Sequence, residues 1–158
     1  MRRKCLIHLT TGLLSFALLL CTWLLSGYTC GEIAAMDALS RLGAPYVFAK
    51  SGPEQFDCSG LVVYCYGRQG VPVSHSAKDI GEDPDSRKID DPRCLVTGDI
   101  VCFDTVADAD PFDHVGIWLG GNRFVHASSG KGEVVVSELD GYYLERFTGG
   151  RRIFCPYF

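Results

Sequence analysis

The 158-residue sequence contains no Cys-x-x-Cys pair, no internal repeat and no charged residue between Lys4 and Glu32. The first absence argues against a structural zinc site, although the chain has eight cysteines. The second leaves room for one folded domain and a short appendage, with no second module. The third defines the appendage. Basic Met1-Arg2-Arg3-Lys4 is followed by a run from Leu9 to Leu25 broken only by Thr10, Thr11, Gly12, Ser15 and Thr22, the pattern of a secretory signal or an N-terminal signal-anchor. We therefore expect residues 1–30 to be that segment, contacting the membrane or the export machinery, and 31–158 to form the domain. The protein is expected to act outside the cytoplasm, secreted or membrane-anchored, as a monomer. Gly27 and Thr29 fit a cleavage site before Cys30, and lipidation of Cys30 is a second possibility.

Basic charge is also scarce. Beyond the leader, 12 basic residues face 19 acidic ones, a net of −7 that speaks against a nucleic-acid partner. The acids gather in two stretches rich in Pro, Asp and Ser, Asp79–Asp91 and Asp104–Asp113, which read as loops. They are either solvated or walls of a groove for amine-bearing ligands. Export bears on the cysteines too, because an oxidising compartment permits disulfides. With Cys58 set aside, Cys65, Cys94, Cys102 and Cys155 allow two disulfides in three pairings.

Helical spacing runs from Glu32 to Leu42, stopped by Gly43 and Pro45. Extended Pro45-Tyr46-Val47-Phe48 and a polar loop then deliver the chain to Asp57. There Phe56-Asp57-Cys58-Ser59-Gly60-Leu61-Val62-Val63-Tyr64 opens a second helix that ends near Gly67 or Gly70. Asp57 is a good N-cap, which sets Cys58 at the first helical position, where the helix dipole favours thiolate over thiol. Backbone N–H groups of Cys58 and Ser59 would face a developing oxyanion. Gly60 lets another segment approach the helix start. Alternatively Cys58 is a packing residue like Cys65, seven positions on, and only a nearby histidine decides between the two.

From Thr97 the period changes to two. Strands are expected at Ile100–Phe103, His114–Leu119, Arg123–Ala127, Val134–Val136 and Arg151–Phe154, in antiparallel pairing because the connections are short. Helices first and strands afterwards give an α+β domain, the helices packed on the sheet. In the hairpin that carries His114 and His126, a three-residue loop, Gly120 to Asn122, makes opposed residues sum to 242. The two histidines sum to 240 and become diagonal neighbours on one face; a two-residue loop would separate them. A helix-start thiol, a base and an orienting group then meet, with His114 taking the Cys58 proton and His126 orienting His114. His75 has no evident partner, and His8 belongs to the leader.

Leu42-Gly43-Ala44-Pro45-Tyr46-Val47, Phe56-Asp57-Cys58-Ser59-Gly60-Leu61-Val62, Thr97-Gly98-Asp99-Ile100-Val101, Asp113-His114-Val115-Gly116-Ile117-Trp118-Leu119-Gly120, Phe124-Val125-His126-Ala127-Ser128-Ser129 and Gly150-Arg151-Arg152-Ile153 together resemble the NlpC/P60 family of cell-wall peptidases. The resemblance spans Glu32 to Phe154. It implies a papain-like α+β fold with N-terminal helices packed on an antiparallel sheet. It also implies a thiol peptidase without a cofactor or metal, with a Cys-His-His triad of Cys58, His114 and His126. Tyr46 is implied to stand beside the thiol, and Asp57 and Ser59 to help hold the substrate's amino end. The implied substrate is the peptidoglycan stem peptide, cut between γ-D-glutamate and the diamino acid. The chain departs from many relatives in carrying Ala49-Lys50 instead of Gly-Gly and Ser74-His75-Ser76 instead of Arg-x-Ser, and it has no SH3-like or LysM-like wall-binding module. The competing readings are an amidase or acyltransferase with the same triad, a catalytically silent wall-peptide-binding domain, and a secreted module in which Cys58 is itself disulfide-bonded.

Overall fold

The computed structural model describes residues 28–106 and 111–155, so the expected leader lies almost wholly outside the described residues. Helix α1 spans Cys30–Leu39, two residues ahead of the sequence expectation. The cause is a capping box: the Thr29 hydroxyl accepts the Glu32 N–H, and the Glu32 carboxylate accepts the Thr29 N–H. Gly43, at φ +80°, turns the chain out of the helix and donates its N–H to the Val134 carbonyl. Helix α2, Cys58–Gly67, starts at the Asp57 cap as expected. Helix α3 is Ala77–Glu82 and a short helix α4 is Gly141–Glu145, the latter not anticipated. Among the described residues no helix is long and apolar enough to cross a membrane.

Six strands form one antiparallel sheet in the order β1-β6-β2-β3-β4-β5. They are β1 Arg87–Ile89, β2 Ile100–Phe103, β3 His114–Gly120, β4 Arg123–Ser128, β5 Glu133–Glu138 and β6 Phe147–Arg152. The α+β class and the antiparallel pairing stand as expected. Strand β1, inside the first acidic stretch, was not foreseen, and β6 starts four residues earlier than the apolar pattern indicated.

The sheet is buried on both faces. On one, Ala34, Ala38, Leu61, Val62 and Cys65 of α1 and α2 pack against Val115, Ile117, Val125 and Ala127. On the other, Val101, Phe103, Trp118 and Phe124 form a second core with Ile89, Leu95 and Leu139, covered by Tyr143 and Phe147. This two-sided burial is why β2 reads as an unbroken apolar run, with all four residues buried.

Disulfide chemistry differs from the four-cysteine expectation. Cys30 is bonded to Cys155, whose Cα atoms are 6.2 Å apart, while Cys58, Cys65, Cys94 and Cys102 are free thiols. Cys30 had been counted with the leader, and the bond ties the start of α1 to the chain beyond β6. A bonded Cys30 sulfur has no valence left for a lipid. A free Cys58 removes the reading in which it is a disulfide partner.

Candidate functional site

The site is assembled at the start of α2. Asp57, 6% exposed, accepts the Gly60 N–H through Oδ1 at 2.6 Å, as a helix cap should, and the Ser59 hydroxyl at 3.1 Å. The loop before the helix closes over this turn. The Asp57 N–H donates to the Lys50 carbonyl at 2.8 Å, and a Cβ on Gly60 would lie only 2.1 Å from that carbonyl oxygen. Glycine at 60 is therefore a condition of the loop's approach.

Two side chains answer to the sequence reading differently. The Tyr46 phenol is raised in pKa by burial and then by the charges of Cys58 and Asp57. His75, expected to stand alone, has Nε2 at 3.0 Å from both carboxylate oxygens of Asp57. Asp57 thus receives three donors, His75, Ser59 and the Gly60 N–H. Asp57 and Ser59 are committed to each other rather than open to solvent. The partner of His75 was illegible because it sits 18 residues away on another element.

The hairpin register was expected from a three-residue loop, and that premise is corrected. The turn is the two residues Gly121 and Asn122, both at positive φ (58° and 63°), which by itself would part the histidines. A bulge between Trp118 and Gly120 supplies the missing odd residue, so Ile117 opposes Val125 and Trp118 opposes Phe124. The parity of 242 is restored, and the rings meet: His114 Nε2 lies 2.7 Å from His126 Nδ1, with the rings edge to face at 86°.

Gly116 makes that contact feasible. It lies between His114 and Trp118 on their face of β3, and a Cβ there would come within 2.7 Å of the Phe124 ring and 3.1 Å of the His126 Cβ. The face also differs from expectation. His126 packs on Phe124 and Tyr143 of the second core, away from α1 and α2. The Cys58 sulfur lies at the start of β3. It is faced there by the backbone N–H of Val115, the residue after His114, with the N–H groups of Ser59 and Cys58.

Electrostatics keep the group neutral. The helix start and the three N–H groups favour thiolate, but burial outweighs them, Asp57 opposes them too, and the Cys58 thiol is pushed up. Burial lowers His114 to about 4, with Asp113 pulling the other way. Burial, with His114 adding to it, lowers His126 to about 3. At neutral pH these shifts leave Cys58 a thiol and both imidazoles uncharged. His114 Nε2 is occupied by His126, so among the described residues Nδ1 is the nitrogen left to take a proton.

Comparison with known proteins finds similar sequences and folds. The model of the NlpC/P60 family matches residues 43–152. The murein DD-endopeptidase MepH of Escherichia coli is 29% identical over 128 residues, which cover 79% of this chain and 46% of that protein. The gamma-DL-glutamyl hydrolase of Bacillus subtilis is 36% identical over 122 residues, 73% of this chain and 28% of that protein. The structure of NlpC1 from Trichomonas vaginalis superposes with a TM-score of 0.71 at 29% identity, covering 82% of this chain and 45% of that one. This chain spans about half or less of the length of each of these three.

Proposed function

The chain belongs to the NlpC/P60 family, and from that premise we propose that it is an extracytoplasmic cysteine peptidase that hydrolyses peptidoglycan stem peptides, at the bond between γ-D-glutamate and the diamino acid. Cys58 is the nucleophile, His114 the base and His126 the residue that orients it. The observation that carries the reading is the 2.7 Å contact between the two imidazoles beside the start of β3, where the Val115 N–H faces the Cys58 sulfur.

Because thiol and imidazoles are neutral at rest, the chemistry is general-base catalysis. As the sulfur attacks the scissile carbonyl, its proton passes to Nδ1 of His114, and the imidazolium formed is held by its Nε2–H bond to His126. The carbonyl oxygen becomes an oxyanion next to the N–H groups of the first turn of α2 and the Tyr46 hydroxyl. The tetrahedral intermediate collapses by breaking the C–N bond, and His114 returns the proton to the leaving amine. A water molecule, deprotonated by His114, then cleaves the thioester and frees Cys58. The expected fold-level partner is the glycan-linked or free stem peptide, and the reaction needs no cofactor.

The test is digestion of purified sacculi by the protein and by C58A, with muropeptides resolved by mass spectrometry. The wild type should release products with new diamino-acid N-termini, and C58A should release none. Equal cleavage by C58A would discard the mechanism, and loss of stem peptide as an intact unit would assign an amidase instead.

A further inference from the structure

The hydrogen-bonded row does not stop at His126. In the β4–β5 ladder, opposed residues such as His126 and Val135 sum to 261, so Ser137 is the diagonal neighbour of His126, just as His126 is of His114. The His126 Nε2 lies 3.0 Å from the Ser137 hydroxyl oxygen. The Tyr143 hydroxyl stands 3.4 Å from the same nitrogen, and its ring is edge-on to the imidazole at 5.4 Å, wedged against Phe103 and Phe124. Hence three strands contribute one polar side chain each to a diagonal line, and α4 closes its far end.

The proton inventory of this line runs in one direction only. His114 can accept from Cys58 at Nδ1 if its own hydrogen is on Nε2. That hydrogen then requires an acceptor, the bare Nδ1 of His126. His126 must in turn carry its hydrogen on Nε2, and this needs an acceptor opposite, which an oxygen lone pair of Ser137 supplies. We propose that Ser137 is a positioning residue: by accepting from His126 Nε2–H it fixes the tautomers of both histidines so that His114 presents a free lone pair to the thiol. Tyr143 holds Ser137 and the His126 ring in place, with the Ser137 hydroxyl hydrogen bonding to the phenol. The proposal rests on the reading of His114 as base.

The test uses the full chain and its variants S137A, S137T and Y143F, with kcat and KM measured on a soluble stem peptide and with ¹⁵N NMR of the histidine side chains. S137A should lower kcat about 10-fold, the equivalent of roughly 1.4 kcal/mol, at unchanged KM. Its His126 spectrum should change from the single Nε2–H tautomer to a mixture. S137T, which keeps the hydroxyl, should restore both, and Y143F should weaken kcat less than S137A does. A kcat within twofold of wild type in S137A, or a His126 tautomer that does not respond, would overturn the assignment. If the wild type cleaves no stem peptide, the peptidase reading fails, and the NMR comparison still decides whether Ser137 sets the tautomer.

Discussion

The buried His126 ring and the partly buried His114 ring make folding stability depend on pH below neutrality. An ordinary histidine binds its proton near 6.5, whereas His114 does so at about 4 and His126 at about 3, both because burial penalises the charge. Between those values the unfolded chain holds protons that the folded chain lacks. Stability is therefore complete above pH 6.5 and is lost as the pH falls toward 4. For His114 alone the interval corresponds to roughly 3 kcal/mol, and His126 acts in the same direction. Against a total of about 5–15 kcal/mol for a domain, this is a large share. Urea unfolding at pH 7, 6, 5 and 4.5 measures it, with H114Q as the reference that lacks one titrating ring. The wild type should lose stability steeply below pH 6.5 and H114Q less so. A wild-type curve flat from pH 6.5 to 4.5, or parallel to that of H114Q, would refute the claim that the rings are buried neutral.

Two substitutions probe the scaffold around them. G116A should cost about 1–3 kcal/mol of stability, since its Cβ enters the space of the Phe124 ring and the His126 Cβ, and should reduce turnover more than G121A, where nothing lies within 4 Å, once the strain of a positive φ is allowed for by comparing melting temperatures. H75Q keeps a donor for Asp57 and should leave the fold intact, whereas H75A should loosen the start of α2, read as faster amide exchange at Ser59 and Gly60.

Which of these features the sequence could disclose follows from how local each one is. The cap at Asp57, the helix behind it and the shared face of His114 and His126 depend on neighbours a few residues apart, and periodicity reveals them. The turn length was misjudged because a bulge beside a two-residue turn gives the same pairing parity as a three-residue loop, and Gly120-Gly121-Asn122 fits either arrangement. Strand β6 contains Gly149 and Gly150, normally turn signals. Glycine at 150 leaves room for the Leu95 side chain, which a Cβ there would meet at 2.7 Å, a contact set by distant chain. The Cys30–Cys155 bond spans 125 residues, and the His75–Asp57 pair joins separate elements, so neither leaves a local trace. The face that carries the histidines was misassigned for the same reason: helix α4 and the second core it covers are made of short segments with no helical period of their own.

The most direct test of the central claim is to catch the thioester. Rapid acid quench of the protein during turnover of a soluble stem peptide, followed by intact-mass and peptide-mapping mass spectrometry, should find the peptide's acyl fragment on Cys58, removable by hydroxylamine and absent from C58A. Product formed with no adduct on Cys58, or with the adduct on another residue, would contradict the account.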